Sequence, residues 1–161
     1  MDLIASREGR LGRILLNRPQ ALNTLTLPMV REFRRALDDF GTDTSVNAVL
    51  VTGAGERGLC AGGDVRSLYE LKPSQKRLFA DFWREEYELN ARIASFPKPY
   101  VVIMDGIVMG GGVGISAHGN RRVVTERSRV AMPEVGIGFF PDVGATWLLS
   151  RAREIGAYLA L

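Results

Sequence analysis

The sequence predicts an α/β fold in which strands pack against helices as one continuous unit. Short apolar runs rich in β-branched residues alternate with longer segments whose apolar residues recur at helical spacing. No repeat, low-complexity tract or Pro/Ser-rich linker divides residues 1–161, so no internal domain boundary is expected.

The elements follow in order. Leu3–Ser6 and Gly12–Asn17 flank Arg7-Glu8-Gly9-Arg10, which predicts a hairpin turned around Gly9. Thr26 is a candidate N-cap ahead of Pro28, and Val30, Phe33, Leu37 and Phe40 then keep helical spacing as far as Gly41. Ala48–Thr52 reads as a buried strand that stops at Gly53, and a loop through GLCAGGDVRS (58–67) is expected after it. From Lys76 to Ser95 the spacing of Leu78, Phe79, Phe82, Trp83, Tyr87, Leu89 and Ile93 predicts one long helix, ended by Pro97 and Pro99. Pro99–Met104 is a further strand, Gly110-Gly111-Gly112 opens a small-residue helix toward His118, and Arg121–Thr125 returns as a strand. The final Ala157–Leu161 stops inside an amphipathic pattern, and the expectation is that a C-terminal part is missing.

Composition narrows the function classes. With 46% hydrophobic and 24% charged residues the chain is ordinary for a globular domain, and no apolar run approaches the ~20 residues a membrane span needs. The 21 basic and 18 acidic residues give a net charge of +3, with the basic side chains scattered, which points to an anionic small molecule and not to a nucleic-acid face. One cysteine and one histidine cannot build a disulfide framework or a His/Cys metal cluster. A reducing compartment is expected: the cytoplasm, or the mitochondrial matrix in a eukaryote.

Gly53-Ala54-Gly55-Glu56-Arg57-Gly58 spells G-x-G-x-x-G after a strand, but Gly62 and Gly63 follow where a dinucleotide site requires a helix to begin. Cys60 with His118 could pair as thiol and base, whereas packing roles account for both more simply. The glycine clusters 62–63 and 110–112 are more informative: each is a place where backbone can approach a ligand and present an N–H, and two converging donors form an oxyanion hole. Packing glycines would give the same spacing. Glu134 and Asp142 lie within apolar and small residues, a setting that raises carboxyl pKa values and suits general acid/base work. Asp142 could equally cap the helix that follows, with Trp147, Leu148 and Leu149 facing inward.

CAGGD, MDGIVMGGGVGISAHG and AMPEVGIGFFPDVGA together resemble the crotonase superfamily and, within it, the 3-hydroxyisobutyryl-CoA hydrolase group, and NRPQALN and FWREEYELN extend the resemblance from about Gly12 to the end. The resemblance implies a spiral of ββα units and an acyl-CoA thioester whose carbonyl lies between two N–H donors, Gly63 and Gly111. Cys60 is then a bystander. The first catalytic carboxylate of the superfamily's hydratases falls on Gly114, which cannot supply one. The second falls on Glu134. Asp142 stands where hydratases have glycine, the mark of the hydrolase group, and Glu86 matches a substrate-contacting position. Implied by the resemblance are Glu134 and Asp142 as catalytic residues, Glu86, Gly111, Glu134 and Asp142 as substrate contacts, no cofactor besides the coenzyme A of the substrate itself, and a homo-oligomer in the full-length protein. The expected reaction is hydrolysis of a short 3-hydroxyacyl-CoA in branched-chain amino-acid breakdown. Two alternatives stay open, an enoyl-CoA hydratase or isomerase and a non-catalytic acyl-CoA binding module.

Overall fold

The computed structural model describes residues 1–151, so the Ala157–Leu161 pattern lies outside the described residues. Strands β1 (Leu3–Glu8) and β2 (Leu11–Leu16) form the expected antiparallel hairpin, and Gly9 turns it at φ +58°. Helix α1 (Leu27–Thr42) starts where predicted: the Thr26 hydroxyl accepts from Met29 N, and Pro28 sits in the first turn, where no N–H is needed. One face of α1 carries Met29, Val30, Phe33, Ala36 and Leu37 into the core. Burying a side chain such as Phe33 stabilises by about 1.5–3 kcal/mol.

After α1 the chain winds in ββα turns. Strands β3 (Ala48–Gly53), β5 (Tyr100–Met104) and β7 (Arg121–Val124) extend β1 and β2 into a five-stranded sheet, ordered β1-β2-β3-β5-β7 and parallel from β2 onward. Each is followed at once by a three-residue strand of a second, parallel sheet: β4 (Gly58–Cys60), β6 (Ile107–Met109) and β8 (Arg129–Ala131). Helices then return the chain: α2 (Val65–Tyr69) and α3 (Lys76–Ala94) after β4, α4 (Gly111–Ala117) after β6, and α5 (Ala145–Leu149) after β8. The spiral of ββα units expected from the resemblance is therefore the observed architecture.

Two sequence expectations need correction. The loop through 58–67 contains β4 and α2, and β6 and β8 were not foreseen. Three residues carry too little periodicity to announce a strand, and these strands exist only through one another. A helix does not open at Gly58, which excludes the dinucleotide reading of Gly53–Gly58.

α3 covers α1, with Phe82, Leu89 and Ile93 in the shared core, and its outer contacts to α1 are Arg31–Glu85, Arg34–Glu88 and Arg92–Asp38 ion pairs. The same buried face of α3 also carries Glu86 and Asn90. A small polar hub at Asn23 joins the first loop to the sheets. Asn23 is 1% exposed at φ +55°, receives Arg18 N on Oδ1 at 2.9 Å, and donates from Nδ2 to Ala54 O and Gly58 O at 3.0 Å each. Replacing Asn23 by Ala leaves these buried backbone groups unpaired, and urea unfolding is expected to show a loss of about 3 kcal/mol.

Candidate active site

The two glycine loops meet. The turn after β4 is tied to residues 22–25 by three backbone bonds, Ala61 N to Leu22 O, Leu25 N to Gly62 O and Asp64 N to Leu25 O, at 2.8–3.0 Å. Gly110, at φ +51°, turns the chain from β6 into α4. A Cβ placed on Gly112 would overlap Cys60 O, so the first turn of α4 lies directly on the end of β4. In consequence Gly63 N lies 3.3 Å from where a Cβ of Gly111 would stand, and Gly111 N lies 3.5 Å from the corresponding point of Gly62. Neither Gly63 N nor Gly111 N donates to an acceptor among the described residues.

Carboxyl groups surround this point. The Cβ direction of Gly111 runs into Glu86 Oε1, and that of Gly110 ends 2.9 Å from Glu134 Oε1. Glu134 begins a short 3-10 turn, Glu134–Ile137, and is buried. Asp142 follows beyond Pro141, and its Oδ2 accepts the Tyr87 hydroxyl at 2.6 Å. Its side chain does not cap α5: the N-cap is Gly144, Asp142 contributes only its carbonyl to Ala145 N, and Trp147 is exposed instead of facing inward. The reason is local: Val143 and Gly144 both take positive φ, +43° and +79°, and this turns the Asp142 side chain toward α3. Such a φ strains a β-branched residue by roughly 1–3 kcal/mol. The His118 ring holds it there, with Nε2–H donating to Val143 O at 2.7 Å, so His118 is a structural support.

Burial and mutual repulsion shift these groups. Burial, followed by the charges of Asp142 and Glu134, pushes the Glu86 carboxyl up to about 8. The Glu134 carboxyl is raised by burial and by the Asp142 charge. Burial and the bond to Asp142 raise the Tyr87 hydroxyl, which therefore stays a donor. Cys60 is fully buried, its thiol is pushed up to about 12 by burial, and it shares no bond with His118, so no thiol nucleophile is poised here.

The buried side-chain nitrogens and oxygens that lack a partner among the described residues are Glu86 Oε1, Glu134 Oε2 and both amide atoms of Asn90. All lie beside the Gly110–Gly114 segment: Asn90 Oδ1 and Nδ2 are 2.9 and 3.1 Å from where a Cβ of Gly114 would stand. Beside them a cavity of about 550 Å³ is lined by Tyr87, Asn90, His118, Asp142, Val143 and Trp147, among others. Of these residues Asn90 lines the cavity, and an unsatisfied buried amide at a cavity wall marks a place where a ligand completes the bonding. The structure thus brings Gly63, Gly111, Glu86, Glu134 and Asp142 together. Asn90 and Tyr87 were missed as site residues. The available signal was position: Asn90 stands four residues after Glu86 on one helix face, a second polar residue in a stripe of apolar ones.

Residues 11–161 match the enoyl-CoA hydratase/isomerase family. The chain is 48% identical over 161 residues to the mitochondrial 3-hydroxyisobutyryl-CoA hydrolase of Rattus norvegicus, covering 99% of this chain and 42% of that protein. Of solved structures, a carnitinyl-CoA dehydratase from Mycobacterium thermoresistibile superposes with a TM-score of 0.94 at 56% identity, over 99% of this chain and 47% of that one. An enoyl-CoA hydratase from Rhodobacter sphaeroides does so with a TM-score of 0.93 at 47% identity, over 100% and 48%. The chain thus spans less than half the length of these relatives.

The raised Glu86 pKa has a thermodynamic consequence. The folded protein keeps a proton that the unfolded chain releases above about 4.5, so stability falls as pH rises from there and levels off above about 8. In denaturant titrations at successive pH values, Glu86→Gln is expected to lack this decline and to gain on the wild type up to pH 8.

Proposed function

The chain belongs to the enoyl-CoA hydratase/isomerase family, and on that premise we propose that it carries the catalytic core of an acyl-CoA thioester hydrolase acting on a short 3-hydroxyacyl-CoA of the 3-hydroxyisobutyryl type. The observation that carries this reading is at position 114. A hydratase of the kind the chain resembles holds water between two carboxylates, but here residue 114 is glycine, and the space its side chain would take is filled by Asn90 and Val143. The second carboxylate near Glu134 is Asp142 instead, and the two are close enough for the Asp142 charge to raise the Glu134 pKa. The name of the rat relative points the same way.

In this reading the thioester carbonyl oxygen lies between Gly63 N–H and Gly111 N–H, which have no competing acceptor among the described residues and meet the negative charge that develops there. Glu134 either takes a proton from the attacking water or adds to the carbonyl itself, giving a mixed anhydride that water then opens. In both routes the carbon–sulfur bond breaks, coenzyme A leaves as the thiolate and collects a proton, and the free acid remains. Glu86, protonated at neutral pH, adds no third negative charge beside the anionic intermediate. Asp142, held by Tyr87, contacts the 3-hydroxyl and orients the acyl part. Coenzyme A enters as part of the substrate. The mitochondrial matrix is the matching compartment for a eukaryotic source, by the name of the relative.

The dehydratase and hydratase titles of the two superposed structures favour a second reading, in which Glu134 alone moves a proton on an enoyl- or hydroxyacyl-CoA. Parallel assays of free coenzyme A and of enoyl absorbance decide between them: thiol release is expected, and enoyl turnover without it would refute the hydrolase.

Glu134→Gln should abolish release of coenzyme A from every acyl-CoA. Gly63→Pro should lower kcat by about 10²–10³-fold through loss of one N–H donor. Cys60→Ser should leave turnover largely intact, and a folded Cys60→Ser protein without activity would contradict this assignment. For the route at Glu134, a single turnover in heavy-oxygen water is expected to label the protein if an anhydride is opened at the enzyme's carbonyl, as mass spectrometry of the Glu134 peptide would show.

A further inference from the structure

Asn90 is 5% exposed, its carboxamide offers two donors and an acceptor, and no atom among the described residues bonds to it. An orphaned buried amide destabilises a fold, and an apolar side chain of similar size would fill the same space without that penalty. The amide faces Gly114 and Val143, and Val143 is the chain neighbour of Asp142. Both Asn90 and Asp142 line the 550 Å³ cavity. Tyr87, one turn before Asn90 on α3, already occupies Asp142 Oδ2.

These facts bear on how a substrate hydroxyl could be read. A hydroxyl donates one hydrogen bond and accepts others, while a carboxylate only accepts. Asp142 can take the hydroxyl proton on its other oxygen but can offer nothing to the hydroxyl oxygen. Glu86 Oε1 and Glu134 Oε1 lie against Gly111 and Gly110, and neither glutamate lines the cavity. Of the side chains that line the cavity, the buried donor without a partner among the described residues is the Asn90 amide, and because the amide can turn end for end, either orientation of its atoms supplies it.

We propose that Asn90 is a specificity-determining residue, whose carboxamide donates to the oxygen of a hydroxyl on the acyl chain while Asp142 accepts that hydroxyl's proton. The assignment rests on the hydroxyacyl-CoA reading above. It gives glycine at 114 a second role: any side chain there would displace the amide, so the missing carboxylate and the hydroxyl reader are two sides of one packing choice.

The test uses calorimetry with two non-hydrolysable thioether analogues of a branched four-carbon acyl-CoA, one bearing the 3-hydroxyl and one without it. The wild type is expected to bind the hydroxylated analogue more tightly. Asn90→Leu should reduce that preference by about tenfold, leave affinity for the other analogue unchanged, and melt no lower than the wild type. Asn90→Ala removes the donor without adding bulk or charge, so it should lose the same preference and carries the test should the leucine variant fail to fold. An unchanged ratio in either variant, parallel loss of both affinities, a wild type without hydroxyl preference, or one that binds neither analogue would overturn the proposal. The reaction assignment fails separately: a wild type that distinguishes the analogues through Asn90 yet releases no coenzyme A from the thioester refutes hydrolysis and leaves the amide's role standing.

Discussion

The fold turns on one close approach, that of the β4 carbonyl end to the first turn of α4. Cys60 O occupies the space a side chain of residue 112 would take, and Ile107 N and O press on Gly58 in the same way at the strand's other end. Only glycine permits either contact. With both in place, β4 pairs with β6, the Gly62–Gly63 turn is held beside Gly110–Gly111, and two backbone N–H groups are left facing one space. Strands of three residues are too short to align these loops by pairing alone. The Leu22–Leu25 segment supplies the missing support through three backbone bonds, and Asn23 within it reaches across to Ala54 and Gly58.

The carboxyl groups impose a second constraint, because three of them cannot all be charged in one poorly hydrated place. The structure distributes the burden unevenly. Asp142 is partly exposed and accepts the Tyr87 hydroxyl. Glu86, almost wholly buried and without a partner on Oε1, takes the proton. Glu134 lies between these extremes. Such an arrangement lowers the stability of the empty protein, and the apolar interface of α1, α3 and the large sheet offsets it.

The sequence made the large elements legible for plain reasons. α1 has a cap, a proline in its first turn and an apolar stripe, and β3 and β5 are runs of β-branched and aromatic residues, so local chemistry suffices for each. The small sheet was hidden because β4, β6 and β8 hold only three residues apiece, and their stability comes from partners that lie about 50 and 20 residues away. At the site, the glycine pairs and the embedded Glu134 and Asp142 stood out by type and setting. Asn90 did not, since its place in the apolar stripe of α3 marks it as buried but does not tell that its amide is left without a partner. The capping role considered for Asp142 failed for a related reason: Val143 takes a positive φ, and its carbonyl is bonded by His118, which stands 25 residues earlier.

Position 114 is where the proposed reaction depends on a side chain and not on the backbone. The resemblance implies that hydratases carry a carboxylate at this point of α4. Here α4 supplies nothing, and α3 fills the vacated volume with an amide. On the proposed function, the exchange leaves Glu134 without the carboxylate that a hydratase would place at residue 114 and puts into that volume a neutral amide, which can only hold a hydrogen bond. The Gly63 and Gly111 N–H groups do not depend on this position, because they are built from backbone held by the contact of Cys60 with Gly112. On the proposed function, the same N–H pair holds a thioester carbonyl, and the choice of reaction falls on the side chains near Glu134, Asp142 among them.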